Sequence, residues 1–89
     1  MPTSNTPAWS QARAVICRID LVNRELELLI GEARLNIGVP PDCMVVLRGE
    51  PVKLRMLQPG DRVRVTFRSR AGTAAARTIE VEGAPAAGA

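Results

Sequence analysis

Few side chains here could do chemistry, and they form three sets. The first is sulfur: the thiols Cys17 and Cys43, with the thioethers Met44 and Met56 close after the second. The second is carboxylate, chiefly Asp42 and Asp61, each beside proline or glycine. The third is guanidinium, since eleven of the twelve basic residues are arginine. With no histidine, acid–base catalysis would fall to carboxylates, cysteine or the single Lys53. Cys17 alternates with apolar residues, as a buried, inert thiol does. Cys43 follows Pro41-Asp42 with no base beside it. Asp42 and Asp61 sit in turn-forming stretches, where Asp commonly bonds the backbone. The glycines at 31, 38, 49, 60 and 72 are spread one per turn and make no phosphate loop. No CxxC or other metal-ligand spacing appears. The expectation is a protein that is not an enzyme and has no cofactor and no metal site. Cys43, Met44 and Met56 are soft atoms of the kind Cu(I) accepts, but also ordinary packing residues.

The guanidinium set has a pattern. "LQPGDRVRVTFRSRAGTAAARTIEVE" (57–82) alternates arginine with apolar residues. Residues 1–44 hold four arginines against five acids, whereas residues 45–89 hold eight basic residues against four acids. Arginine suits bidentate contacts to phosphate or carboxylate, although genome composition also enriches it. The elements that carry these residues decide between a binding row and the wet face of a strand.

Those elements read as strands. An 89-residue chain makes one small domain with a thin core. With one Trp and one Phe, that core must be built from Val, Leu, Ile and Ala. Period-two alternation predicts strands over 13–21, 26–30 and 33–39, the first with Val15, Cys17, Ile19 and Leu21 inward. Gly31-Glu32 suits a type II′ hairpin pairing Leu28 with Leu35, and the loop 22–25 would pair Leu21 with Leu26 and Ile19 with Leu28. "CMVVL" reads as a short strand and "RGEP" as a turn; 52–57 reads equally as strand or helical turn. Pro59-Gly60 suits a type II turn into a strand over 62–70. A three-residue loop over 71–73 would return the chain with Val63 opposite Val81 and Val65 opposite Ile79. Arg64 then faces Glu80 and Arg62 faces Glu82, leaving Arg68 and Arg70, with Arg77 nearby, as a basic tip. Five to six strands would close into an all-β, antiparallel, OB-like barrel, with an SH3-like barrel as the alternative. The barrel would span 12–82, between an N-terminal arm (1–11) and an Ala/Gly/Pro tail (83–89).

The stretch Leu57, Pro59, Gly60, Asp61, Val63, Val65, Phe67, Ala76, Ile79 and Val81, together with "VICRIDLVNRELELLI", resembles small OB-like bacterial β-barrel domains of unknown function. More distantly it is similar to the periplasmic copper/silver-binding barrel and to translation initiation factor one. The first likeness implies metal held through Met, His and Trp, yet this chain has no His and its Trp9 lies ahead of the barrel. The second implies RNA. Single-strand binding by such barrels uses aromatic stacking, and the strands offer only Phe67, expected inward.

Two functions follow as expectations. One is an interaction module that contacts a protein or self-assembles through barrel edges, with Trp9 as partner anchor or else lying over an open barrel end. The other is weak, phosphate-driven polyanion or nucleic-acid binding by Arg68, Arg70 and Arg77, helped by Arg48, Lys53 and Arg55. No small-molecule substrate is evident. The N-terminus lacks a basic start and apolar run, and no stretch reaches membrane-helix length. The expectation is therefore a cytoplasmic protein that makes no membrane contact.

Overall fold

The computed structural model describes residues 9–70 and 72–83. Seven strands follow in order: β1 (Ser10–Asp20), β2 (Glu25–Ile30), β3 (Ala33–Gly38), β4 (Met44–Leu47), β5 (Glu50–Val52), β6 (Arg62–Arg70) and β7 (Thr73–Gly83). A 3₁₀ turn, Leu54–Met56, falls within the segment left open between strand and helical turn. The arm expected over 1–11 gives Ser10 and Gln11 to β1 and the tail expected over 83–89 gives Gly83 to β7; residues 1–8 and 84–89 lie outside the described residues.

Five strands form a closed ring. β3 pairs β2, β2 pairs β1, β1 pairs β6 and β6 pairs β7, and β7 returns to β3 through a short parallel ladder, Ile37 with Ala74 and Gly38 with Ala75. That order is OB-like. The barrel is not wholly antiparallel, because β4 also lies parallel to β7 and carries β5 outside the ring. The core is aliphatic, with Ile16, Leu26, Leu28, Ile37, Val39, Val63, Val65 and Ile79 fully buried. Phe67 packs against it from a partly buried position.

The β2–β3 hairpin has the expected register, and Gly31 holds φ +62° there. Gly60 at φ +95° and the Asp61 N–H donating to the Gln58 carbonyl (3.1 Å) close the turn into β6. Asp61 is structural, as expected: its Oδ2 accepts from the Gln58 N–H at 2.9 Å and the residue is buried.

β1 departs from the expected register. Ile16 pairs with Leu28 and Arg18 with Glu27, so Cys17 is an extra residue, a β-bulge. The bulge swaps the faces. Ala14 and Ile16 point into the core, where Val15 and Cys17 were expected. Beyond it Ile19 packs inward opposite Leu26, not Leu28, while Leu21 falls in the loop and is exposed. A second bulge lies in β7, where Thr66 pairs with Thr78 but Phe67 with Ala76, leaving Arg77 as the extra residue. Val63–Val81, Arg64–Glu80 and Val65–Ile79 pair as expected, whereas Arg62 meets Gly83, not Glu82. Arg70 meets Thr73, one residue short of the expected three-residue loop.

Two stability effects follow. Leu28→Ala empties the centre of a thin core and should cost ~2–5 kcal/mol in urea denaturation. Arg48 and Gly49, both at positive φ (+55° and +81°), form a type I′ turn between β4 and β5. Asparagine tolerates that conformation better than arginine, so Arg48→Asn should stabilise by ~0.5 kcal/mol, read from the same curves.

Candidate functional site

The outer surface of β1, β6 and β7 collects most of the arginine set. Because Ala12 and Ala14 pair with Val65 and Val63 on the core side, Gln11 and Arg13 stand outside, opposite Thr66 and Arg64. Arg62, Arg64, Arg68 and Arg70 take alternate positions on β6, and the bulged Arg77 is exposed beside them. With Arg13, this makes six arginines on one face, against Glu80 and Glu82.

Continuing the β1–β6 ladder one step beyond Ser10–Phe67 brings Trp9 to Arg68. The Arg68 guanidinium carbon lies 4.9 Å from the Trp9 ring centroid, and that of Arg77 lies 5.1 Å from it. The indole is 39% exposed. It lies neither over a barrel end nor on a free arm: it stands on the sheet between two cations. Each contact is a cation–π attraction of roughly 0.5–1 kcal/mol at an exposed site. Together they offset the repulsion between two guanidiniums held close to one ring.

The ion pairs differ from those expected. Glu82 takes both partners: Arg64 Nη2 at 2.9 Å and Arg13 Nε at 3.6 Å. Glu80, though directly opposite Arg64, pairs with neither among the described residues. The bulge-shifted end of β7 brings the Glu82 carboxylate to Arg64 instead. Arg62, Arg68, Arg70 and Arg77 have no carboxylate partner among the described residues.

The six arginine and lysine positions singled out from sequence therefore separate. Arg68 and Arg77 meet at Trp9, and Arg70 is exposed two residues further along β6. Arg48 sits in the β4–β5 turn and borders a cleft with Met56 and Asp61. Lys53 and Arg55 line another, beside Cys43 and Arg24. In that second cleft Arg24 is tied to backbone, its Nε donating to the Val39 carbonyl at 2.9 Å. Burial first, and the Asp42 charge second, push the Cys43 thiol up to about 11. The aromatic partner was missed because residues 1–11, polar and with two prolines, read as an arm ahead of the barrel. The only sequence signal for the Cys17 bulge was the mismatch it resolves, two alanines and Ile16 sharing the even positions.

No family model matches the sequence, and no curated protein matches it. Solved structures do share the fold. Silver(I)-bound CusF superposes with a TM-score of 0.71 at 17% identity, over 85% of this chain and all of that one. Apo-CusF from Escherichia coli, residues 6–88, gives 0.72 at 16% identity, over 92% of this chain and 96% of that one. A copper(II) complex of a tryptophan-to-alanine variant of the E. coli protein gives 0.72 at 16%, over 91% and 100%. At such identities the likeness is one of fold, and it places this chain among small OB-like barrels. These neighbours also count against the cytoplasmic expectation, which had rested on absences in the sequence, and that expectation is withdrawn.

The Cys43 environment is testable by titration. Its thiol is held neutral in the folded chain, above its ordinary value of 9.0, so its contribution to stability is complete below pH 9 and is lost as pH rises toward 11. At pH 8 Cys43 should react with a disulfide reagent roughly 100-fold more slowly than in the urea-unfolded chain. Labelling of Cys17→Ser protein isolates that rate.

Proposed function

We propose that this chain is a non-enzymatic binding module, and that the Trp9–Arg68–Arg77 cluster is where it holds a polyanion. The observation behind this reading is the pair of guanidiniums, 4.9 and 5.1 Å from one exposed indole, with no carboxylate partner among the described residues. Arg64 and Arg13 have their charge matched across the strands through Glu82. Arg68 and Arg77 are instead positioned by a neutral ring, which orders them without consuming their charge. A ligand carrying closely spaced anionic oxygens would relieve their repulsion and accept their planar N–H forks.

The charge distribution supports the same reading. Arginines are in excess on β1–β6–β7, whereas at β2 the carboxylates Asp20, Glu25 and Glu27 border a cleft with Arg18, and Glu27 also pairs with Arg34. Such a field orients an approaching polyanion toward the arginine face.

The CusF structures hold silver or copper; the soft donors of this chain for such an ion would be Cys43 and the exposed thioethers Met44 and Met56. The chain has no histidine, and no three of its described Cys, Asp and Glu residues come together as a metal-holding group. The Cys43 thiol, pushed up to about 11, is a poor source of thiolate at neutral pH. Strand edges are open along the three-residue β5, part of β3 and the first half of β1, which pairs with β6 alone.

The test uses Trp9, the chain's only tryptophan, as its own reporter. Titration with inorganic polyphosphate should change its fluorescence saturably, with affinity falling steeply as salt rises. Arg68→Ala with Arg77→Ala should weaken binding at least tenfold, whereas Lys53→Ala with Arg55→Ala should change it less than twofold. No saturable response in low salt, or equal losses in the two double variants, would refute the reading.

A further inference from the structure

We infer that the cleft beside Arg62 is a second site, separate from the Trp9 cluster, and that it takes an aliphatic monocarboxylate of medium chain length.

The site starts from the outward parity ahead of the Cys17 bulge. With Ala14, Ile16 and Leu28 turned into the core, Val15 and Leu29 turn outward as cross-strand partners. Val15 also stands opposite Arg62, and Arg62 opposite Gly83. One transverse row therefore runs Leu29, Val15, Arg62, Gly83 across β2, β1, β6 and β7. Its first half is aliphatic and its second half carries the guanidinium. Val15 and Leu29 are half-buried, so a face crowded with arginine holds an apolar pair that is still partly open to solvent. The space over the pair is a cleft of about 390 Å³, lined by Val15, Leu29 and Gly31 with Arg13, Arg62 and Glu82.

The charges set the head group. Glu82 already bonds Arg64 at 2.9 Å and Arg13 at 3.6 Å. Arg62 has no carboxylate partner among the described residues. Its guanidinium is nevertheless placed. A Cβ at Gly83 would come within 2.8 Å of Arg62 Nη2, so the missing side chain there lets the guanidinium lie against β7. Two guanidiniums and one carboxylate leave the lining with one positive charge in excess, the complement of a single anionic head. A polyanion entering this cleft would meet Glu82, a repulsion it does not meet at Arg68 and Arg77.

The lining also sets the tail. No aromatic ring and no hydroxyl or amide side chain lines the cleft, so a flat ring has nothing to stack on and a polar body nothing to bond. From Leu29 to Arg62 is two strand spacings, about 10 Å, which is the reach of a medium alkyl chain. Laid along the row, such a chain covers Leu29 and Val15, and its carboxylate accepts the planar N–H fork of Arg62.

The experiment follows the ¹³C-methyl resonances of valine and leucine in the full chain, with sodium octanoate as the probe. The Val15 and Leu29 signals should move saturably, with half-saturation at about 1 mM or below. Butanoate should bind roughly tenfold more weakly. Octylammonium, with the same tail and the opposite charge, should leave both signals in place. Arg62→Ala should weaken octanoate roughly tenfold, and Gly83→Ala, which displaces the guanidinium but keeps its charge, roughly threefold. The readout does not involve Trp9, Arg68 or Arg77, so this inference and the anion site proposed above stand or fall separately. Octanoate that moves neither signal, octylammonium that moves both, or an affinity unchanged by Arg62→Ala would overturn the inference. N-acetyl-leucine binding as tightly as octanoate would assign the cleft to a peptide carboxyl terminus and overturn the aliphatic-acid assignment.

Discussion

The arrangement depends on one irregularity, the bulge at Cys17 in β1. β1 belongs to two ladders, with β6 over residues 10–15 and with β2 over 15–20. A strand that serves both sides of a small barrel must bend sharply, and an extra residue bends and twists it. The turn into β6 pins the bend: the Gly60 N–H donates to the Ile16 carbonyl at 2.7 Å, and the Ile16 N–H donates to the Asp61 carbonyl at 3.0 Å. Asp61, buried and bonded to the Gln58 backbone, holds that turn in shape.

The bulge also sets which face of the sheet Trp9 takes. It reverses the inward parity along β1, so alanines face the crowded barrel interior and Trp9, Gln11 and Arg13 face out. Without it the indole would compete for core volume instead of standing between two guanidiniums. The bulge at Arg77 acts in a similar way in β7, taking that residue out of the ladder so that it reaches the ring from the far side of β6. Two local departures from regular pairing thus bring three residues, far apart in sequence, to one place.

Much of this was legible in the sequence where alternation ran unbroken. The β2–β3 hairpin, the turn at Pro59-Gly60 and the Val63–Val81 and Val65–Ile79 pairs follow from matching apolar faces. The basic tip of Arg68, Arg70 and Arg77 was legible for the same reason. Alternation gives no warning of a bulge, because an extra residue changes the face without changing the composition. Trp9 was left off the sheet because 1–11 read as an arm; Arg64 does face Glu80 yet bonds Glu82, and Arg62 meets Gly83 where Glu82 was expected. Grouping Arg48, Lys53 and Arg55 with the hairpin arginines followed their shared charge; the fold sends them to other clefts.

The central claim is that one indole orders two unneutralised guanidiniums for an anion. Side-chain Nε–H resonances of ¹⁵N-labelled arginine measure it most directly. The account predicts ring-current shifts at Arg68 and Arg77 in the free protein, absent in Trp9→Leu, and movement of both signals when tripolyphosphate is added while Arg48 and Arg55 stay in place. Arg68 and Arg77 signals at ordinary positions in the free protein, or unmoved by the anion, would contradict it.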